Sequence, residues 1–200
     1  MATTLRLGPA DHNRPMTLEE FLSSDYEEGH RYELIDGRLY AAPMPDCPHS
    51  WMNKAAYRKL DDYSRVRPGI VNYVVTDARV FVQGKRATAP EPDISCYRDF
   101  PIDSLPGVNW RNVSPILVVE VLGGEDEQKD LVRNVDLYWR VTSIEEYWVI
   151  DIRGDASRPA LRVYRRDSDA WQVLDIPFGA AYQTALLPDF SWRVDPRSRT

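Results

Sequence analysis

The chain has 200 residues, 43% of them hydrophobic and 28% charged, a composition that fits one globular domain with a full apolar core and excludes a disordered or fibrous protein. A formal net charge of −6 weighs against a protein that coats nucleic acid, because such binding rests on lysine and arginine neutralising phosphates, although it leaves room for a local basic patch. Two cysteines, Cys47 and Cys96, without C-x-x-C spacing exclude a disulfide framework and a zinc finger, and both are expected to be reduced.

Residues 1–15 are polar and broken by Gly8 and Pro9, with none of the apolar stretch of a signal peptide. The longest apolar run, Pro115 to Leu122, is far shorter than the roughly 20 residues a membrane-spanning helix needs. The expectation is a cytoplasmic protein with no membrane segment: a flexible tail at 1–15, one domain at 16–195 and a short tail at 196–200. Thr17 followed three residues later by Glu20 has the capping-box pattern and predicts a short helix over about 17–24. Arg31–Ile35 and Arg38–Ala41, joined by Asp36-Gly37, predict a β-hairpin with a tight turn.

Trp51, Ala55, Leu60 and Tyr63 recur at helical spacing and Pro68-Gly69 follows, which predicts a helix over 48–64. Strands are expected at 70–76, 78–83 and 92–96. The uniformly apolar run 115–122 suits a central strand buried on both faces. After Gly123-Gly124 the period changes: Leu131, Val135 and Tyr138 fall at i, i+4 and i+7 and predict a helix from Glu127 to about Arg140. Strands at 146–151, 161–165 and 170–174 complete an α/β plan of one sheet with helices packed on it.

The sequence carries no G-x-S-x-G, G-x-x-x-x-G-K, H-E-x-x-H or dinucleotide-binding glycine set. Gly123-Gly124 reads as a plain strand-to-helix turn rather than a phosphate loop. His12, His30 and His49 are scattered and form no metal-ligand spacing; His12 reads as tail, and His49 as a helix cap or cleft residue. The acids say more. Glu120 sits inside Val118-Val-Glu-Val-Leu122, where a charge is costly unless it is paired or ligates a metal, and Asp93 begins a short strand. Taken singly, Glu120 reads as half of a buried ion pair and Asp93 as a turn residue. Together, and with Glu33 on the hairpin, they point to a site for a hard divalent cation, for which oxygen ligands suit magnesium, with manganese as the alternative.

Six short motifs in fixed order, Tyr32-Glu-Leu-Ile-Asp-Gly37, Pro45 to His49, Pro92-Asp-Ile94, Val119-Glu-Val-Leu122, Asp130 to Tyr138 and Glu146-Tyr-Trp-Val-Ile-Asp151, resemble those of the Uma family of putative restriction endonucleases, within the PD-(D/E)XK nuclease superfamily. The resemblance spans about 15–195. It implies a restriction-endonuclease-like core, a mixed central sheet flanked by helices with a metal site at one edge, in which Glu33, Asp93 and Glu120 are the metal ligands and Asp93 and Glu120 the catalytic acids. The implied activity is magnesium-dependent endonucleolytic hydrolysis of phosphodiester bonds in DNA. The pattern also wants a lysine two residues after the second acid, where this chain has Leu122. In the Uma family that lysine commonly moves to the following helix, four residues before a tyrosine, where this chain has Asn134. Asn134 is then a water-positioning or vestigial residue, while His49, Lys129 and Arg133 are candidate substrate contacts. A catalytically weakened module of the same fold that binds nucleic acid or protein is the alternative, as is an assembly protein in which Trp139, Trp148 and Trp171 build a dimer surface. A homodimer follows by analogy, since two sites cut both strands of a duplex more easily than one.

Overall fold

The computed structural model describes residues 5–124 and 128–197. In chain order the elements are β1 (Arg6–Leu7), α1 (Leu18–Ser23), β2 (Asp25–Tyr26), β3 (His30–Ile35), β4 (Arg38–Pro43), α2 (Cys47–Val66), β5 (Tyr73–Thr76), β6 (Ile94–Tyr97), β7 (Leu117–Leu122), α3 (Asn134–Trp139), β8 (Glu146–Asp151), β9 (Ala160–Arg166), β10 (Trp171–Ile176), β11 (Ala181–Gln183) and β12 (Ser191–Arg193). Short 3-10 turns lie at 9–11, 102–104 and 110–112, and a π-helical turn, Lys129–Arg133, leads directly into α3.

Local chemistry accounts for most of these boundaries. Thr17 Oγ1 accepts from the Glu20 amide at 3.1 Å and Glu20 Oε2 accepts from the Thr17 amide at 2.7 Å, so α1 starts on the reciprocal cap its sequence encodes. The β3–β4 turn places Asp36 at φ 47° and Gly37 at φ 70°, the left-handed pair that matches the twist of a two-residue hairpin. Asp46 caps α2 by accepting from the His49 amide at 2.9 Å, and the helix ends just before Pro68-Gly69.

Six strands form one mixed sheet in the order β10-β9-β8-β7-β6-β5; β7 and β8 run parallel and all other neighbours antiparallel. Every residue of β7 is buried, as the apolar run predicts. Alternation along β7 divides the core in two. Leu117, Val119 and Val121 face Met52, Ala56 and Leu60 of α2, whereas Val118 and Leu122 face Leu137 and Tyr138 of α3. The β3–β4 hairpin stands outside this sheet, with its own small core of Leu7, Met16, Phe21, Tyr32, Leu34 and Leu39.

Several expectations are corrected. Residues 78–83 are not a strand of the sheet: Val80 and Val82 bond back to Pro90 and Thr88, at 2.9 and 3.0 Å, because the chain reverses around the polar loop between them. Their side chains still enter the core, which explains the apolar pattern. The helix expected from Glu127 begins outside the described residues and runs from Gln128 as a wider π turn before becoming α-helical. The β11–β12 hairpin, unforeseen because its strands are three residues long, packs Tyr182 and Trp192 on Trp148. The segment set apart as a tail holds β1, which pairs with β2 and buries Leu7. Trp148 is fully buried and cannot serve a dimer surface; Trp139 and Trp171 are half-buried and hold the Arg166 guanidinium against both rings. Cys47 and Cys96 are free thiols. No helix among the described residues is long and apolar enough to cross a membrane.

Candidate active site

The register that pairs Ile94 with Val119 sets Asp93, just before β6, beside Glu120 in β7. Asp93 is held from three sides: Arg31 donates to Oδ1 at 2.8 Å, the Val121 amide donates to Oδ2 at 2.8 Å, and His49 Nε2 stands 3.1 Å from Oδ2. A side chain at Gly123, beyond the end of β7, would begin 3.3 Å from the Ile152 side chain, tighter than ordinary packing, and 3.6 Å from His49 Cβ, an ordinary contact.

The helical segment after β7 supplies the opposite wall. Asp130, Asn134 and Tyr138 follow one another at four-residue spacing and all turn inward. The π turn widens the helix there, with the Asn134 amide bonding back to the Lys129 carbonyl. Asn134 Nδ2 donates to Glu120 Oε1 at 3.0 Å and to Asp130 Oδ1 at 3.1 Å, while its Oδ1 accepts from Arg133 Nε at 3.1 Å. Tyr138 adds its hydroxyl to Glu120 Oε1 at 2.9 Å. Glu33 reaches in from the hairpin, accepting from Arg133 at 2.8 Å and from the Glu91 amide at 3.1 Å. Lys129 Nζ lies 3.7 Å from Glu33 and 4.0 Å from Asp130. Four acids, Glu33, Asp93, Glu120 and Asp130, thus share one buried wall with Arg31, Lys129 and Arg133.

Their ionisation differs. Burial, with Asp130, Asp93 and Glu33 as like charges, outweighs the opposing charge of Lys129 and drives Glu120 well above the usual carboxylate range. Burial also lifts Asp130, to about 6. Burial opposes the charge of Asp93 too, but His49, Arg31 and the Val121 amide outweigh it and hold Asp93 below the ordinary range. Glu33 is likewise lowered, because Lys129, Arg133 and the Glu91 amide overcome its burial. Lys129 keeps its proton despite burial, since Glu120, Glu33 and Asp130 surround it.

Arg31, Glu33, His49, Lys129, Asp130 and Arg133 line a cavity of about 360 Å³, within the size range of small-ligand sites, while Asp93, Glu120 and Asn134 are buried beside these lining residues. Among the described residues no three Asp, Glu, His or Cys side chains form a ready-made metal cage. Magnesium seldom needs one: it is held by one or two carboxylates and completed by water and substrate phosphate. The donor chemistry fits that mode, with hard oxygens of Asp93, just before β6, and of Glu120 in the adjacent β7, and with no ion pair to Glu120 within 4 Å among the described residues.

Of the candidate site residues singled out in the sequence, Glu33, His49, Lys129 and Arg133 line this cavity; Asp93 is bonded to the lining residue Arg31 and lies beside His49, Asn134 is bonded to Asp130 and Arg133, and Glu120 is bonded to Asn134. His12, expected in the tail, lines the cavity as well. Three contributors were missed: Arg31, Asp130 and Tyr138. The polar stripe Asp130, Asn134, Tyr138 on an otherwise apolar helix face was a readable signal. The role of Arg31 was not, since its partner Asp93 lies 62 residues away.

A family model described as Uma2, Putative restriction endonuclease, matches residues 18–195. Among solved structures the fold is similar to the crystal structure of a putative nuclease belonging to DUF820 from Anabaena variabilis ATCC 29413, with 20% sequence identity and a TM-score of 0.63 over 90% of this chain and 96% of that one. No curated protein matches the sequence.

Proposed function

Because the chain belongs to the Uma2 family of putative restriction endonucleases, we propose that its cavity hydrolyses phosphodiester bonds in DNA with a divalent ion, magnesium or manganese, held by Asp93 and Glu120 with Glu33 as the third acid. The observation that carries this reading is the buried Glu120, surrounded by like charges and served by neutral donors, Asn134 and Tyr138, on Oε1. A carboxylate kept in such a place is expected to have a use for its charge.

A bound ion would supply positive charge against the phosphate and lower the pKa of an attacking water. The protein's own groups do the rest. His49 and Arg31 fix the Asp93 carboxylate, and Asn134 braces Glu120 against Asp130. The Asn134 amide is thereby fully engaged, which makes it a positioning residue. Lys129 carries the positive charge the superfamily asks for, from one turn earlier than the expected position and beside Glu33 and Asp130. In the reaction a water oxygen forms a bond to phosphorus, the bond from phosphorus to the leaving sugar oxygen breaks, and that oxygen takes up a proton.

Titration of magnesium and manganese into wild type and Glu120→Ala by calorimetry, with nicking of supercoiled plasmid followed on the same samples, tests the reading. Ion binding and nicking that both disappear in the variant are the expected result. Ion binding without nicking in wild type would favour the binding module, and an absence of ion binding would sink the carboxylate site.

A further inference from the structure

The cavity has two unlike walls. One holds the acids and their cations. The other is the end of β4 and the chain beyond it, where Tyr40, Ala41, Pro43, Met44 and Pro45 face the same space. Met44 is 57% exposed and continues the apolar side of the cavity formed by Tyr40, Ala41, Pro43 and Pro45. His12 closes this side: its Nδ1 is engaged by the Ala41 backbone, its ring stands edge-on to Tyr40 at 5.1 Å, and Nε2 has no partner among the described residues. His12 lies outside the residues matched by the family model, so this wall is completed by the segment that precedes the family domain.

The charge balance decides what such a cavity can hold. The charged side chains that line the cavity are Arg31, Lys129 and Arg133 against Glu33, Asp46 and Asp130, so its formal charges balance with no surplus of positive charge, and the chain as a whole is at −6. Duplex binding draws most of its affinity from cations that neutralise many phosphates and release counterions. That source is weak here. What remains is contact with a base, which requires the base to be unpaired and out of its stack.

Resting on the nuclease reading above, we propose that the cavity takes one unpaired nucleotide of single-stranded DNA, its base against Met44, Pro45 and Tyr40 and its polar edge met by His12. A half-open recess of about 360 Å³ with an apolar side suits a base and sugar placed next to the wall that carries Glu33 and Asp130. A duplex presents its backbone on a broad convex surface and has no group to fill such a recess.

The test is fluorescence polarisation of the full chain in EDTA, which separates base binding from any metal. The probe is a labelled DNA strand of roughly 12 nucleotides, within the span such proteins cover, used alone, annealed to its complement, and as the RNA of the same sequence. The single DNA strand is expected to bind at least tenfold tighter than the duplex. Met44→Ala and His12→Ala, both at exposed positions, are each expected to weaken it about fivefold, in line with the loss of part of one base contact. Val66→Ala, at an exposed site at the far end of α2, should leave it unchanged. Raising salt from about 50 to about 200 mM should cost less than tenfold, against the thousandfold or more expected of a binder with many phosphate contacts. Equal binding of strand and duplex, no binding of either, preference for RNA, unchanged affinity in both cavity variants, or a steep salt dependence would each overturn the proposal. None of these outcomes touches the carboxylate reading, which stands or falls on the calorimetry.

Discussion

Glu120 and Glu146 lie on the adjacent parallel strands β7 and β8, each only 1% exposed, yet at opposite ends of the pair and in opposite circumstances. Glu146, at the start of β8, is saturated: Arg165 Nε donates at 2.9 Å, Trp148 Nε1 at 2.8 Å, Thr184 Oγ1 at 2.5 Å, and the Tyr182 hydroxyl lies 3.0 Å from both oxygens. One cation and three neutral donors hold it, and the result ties the β11–β12 region to the sheet. Glu120, near the end of β7, has Asn134 and Tyr138 on Oε1 and Asp93, Asp130 and Glu33 as like-charged neighbours. A buried acid that is satisfied is part of the scaffold; one set among other acids at the carboxyl end of parallel strands, where open sheets bind ligands, is the candidate for a site.

Removing the satisfied acid should cost most. Glu146→Ala leaves Trp148, Tyr182 and Thr184 buried without their acceptor and Arg165 without its partner, and is expected to lose about 3 kcal/mol in urea denaturation. A loss under about 1 kcal/mol would break the contrast.

Next is the one lysine among the three cations of the site. Lys129→Met should lower plasmid nicking about a hundredfold, the scale of a lost charge or proton-handling group. Because Asn134 occupies the position where the family commonly has lysine, adding Asn134→Lys to that variant should restore at least tenfold. No recovery would mean that Lys129 acts only by balancing the buried acids.

For Glu120 the expected sign is reversed relative to Glu146. Its proton is held more tightly in the folded chain than in the unfolded one. At pH values above the ordinary glutamate range, unfolding releases that proton, so stability falls as pH rises until the raised folded value is passed. Glu120→Gln has no proton to lose. In metal-free buffer it should therefore be more stable than wild type by about 1 kcal/mol at neutral pH, with the advantage shrinking as pH is lowered towards 4. A destabilised variant would place Glu120 with Glu146 as scaffold. The smallest effect is Thr184→Val, about 1 kcal/mol or less, because Glu146 keeps its other donors and only the Leu186 amide loses an acceptor.

The sequence by itself determined the elements whose signals are local. Thr17 with Glu20 fixed a helix start, Asp36-Gly37 fixed a turn, and the unbroken apolar run around Glu120 fixed a central strand, because capping, left-handed backbone and burial on both faces each leave a mark within a few residues. Glu120 itself was legible for the same reason: a charge in such a strand is anomalous wherever the strand ends up. Tertiary structure alone decided the partners. Arg31 meets Asp93 across 62 residues and Arg133 meets Glu33 across 100, pairings that only strand register can create. It also decided that Val80 and Val82 reach the core without joining the sheet, and that His12 lines the cavity. Periodicity reports which side of an element is buried, and it carries no information about what lies opposite. The same residue type is saturated by donors in β8 and set among like charges in β7, and that difference depends on what lies opposite.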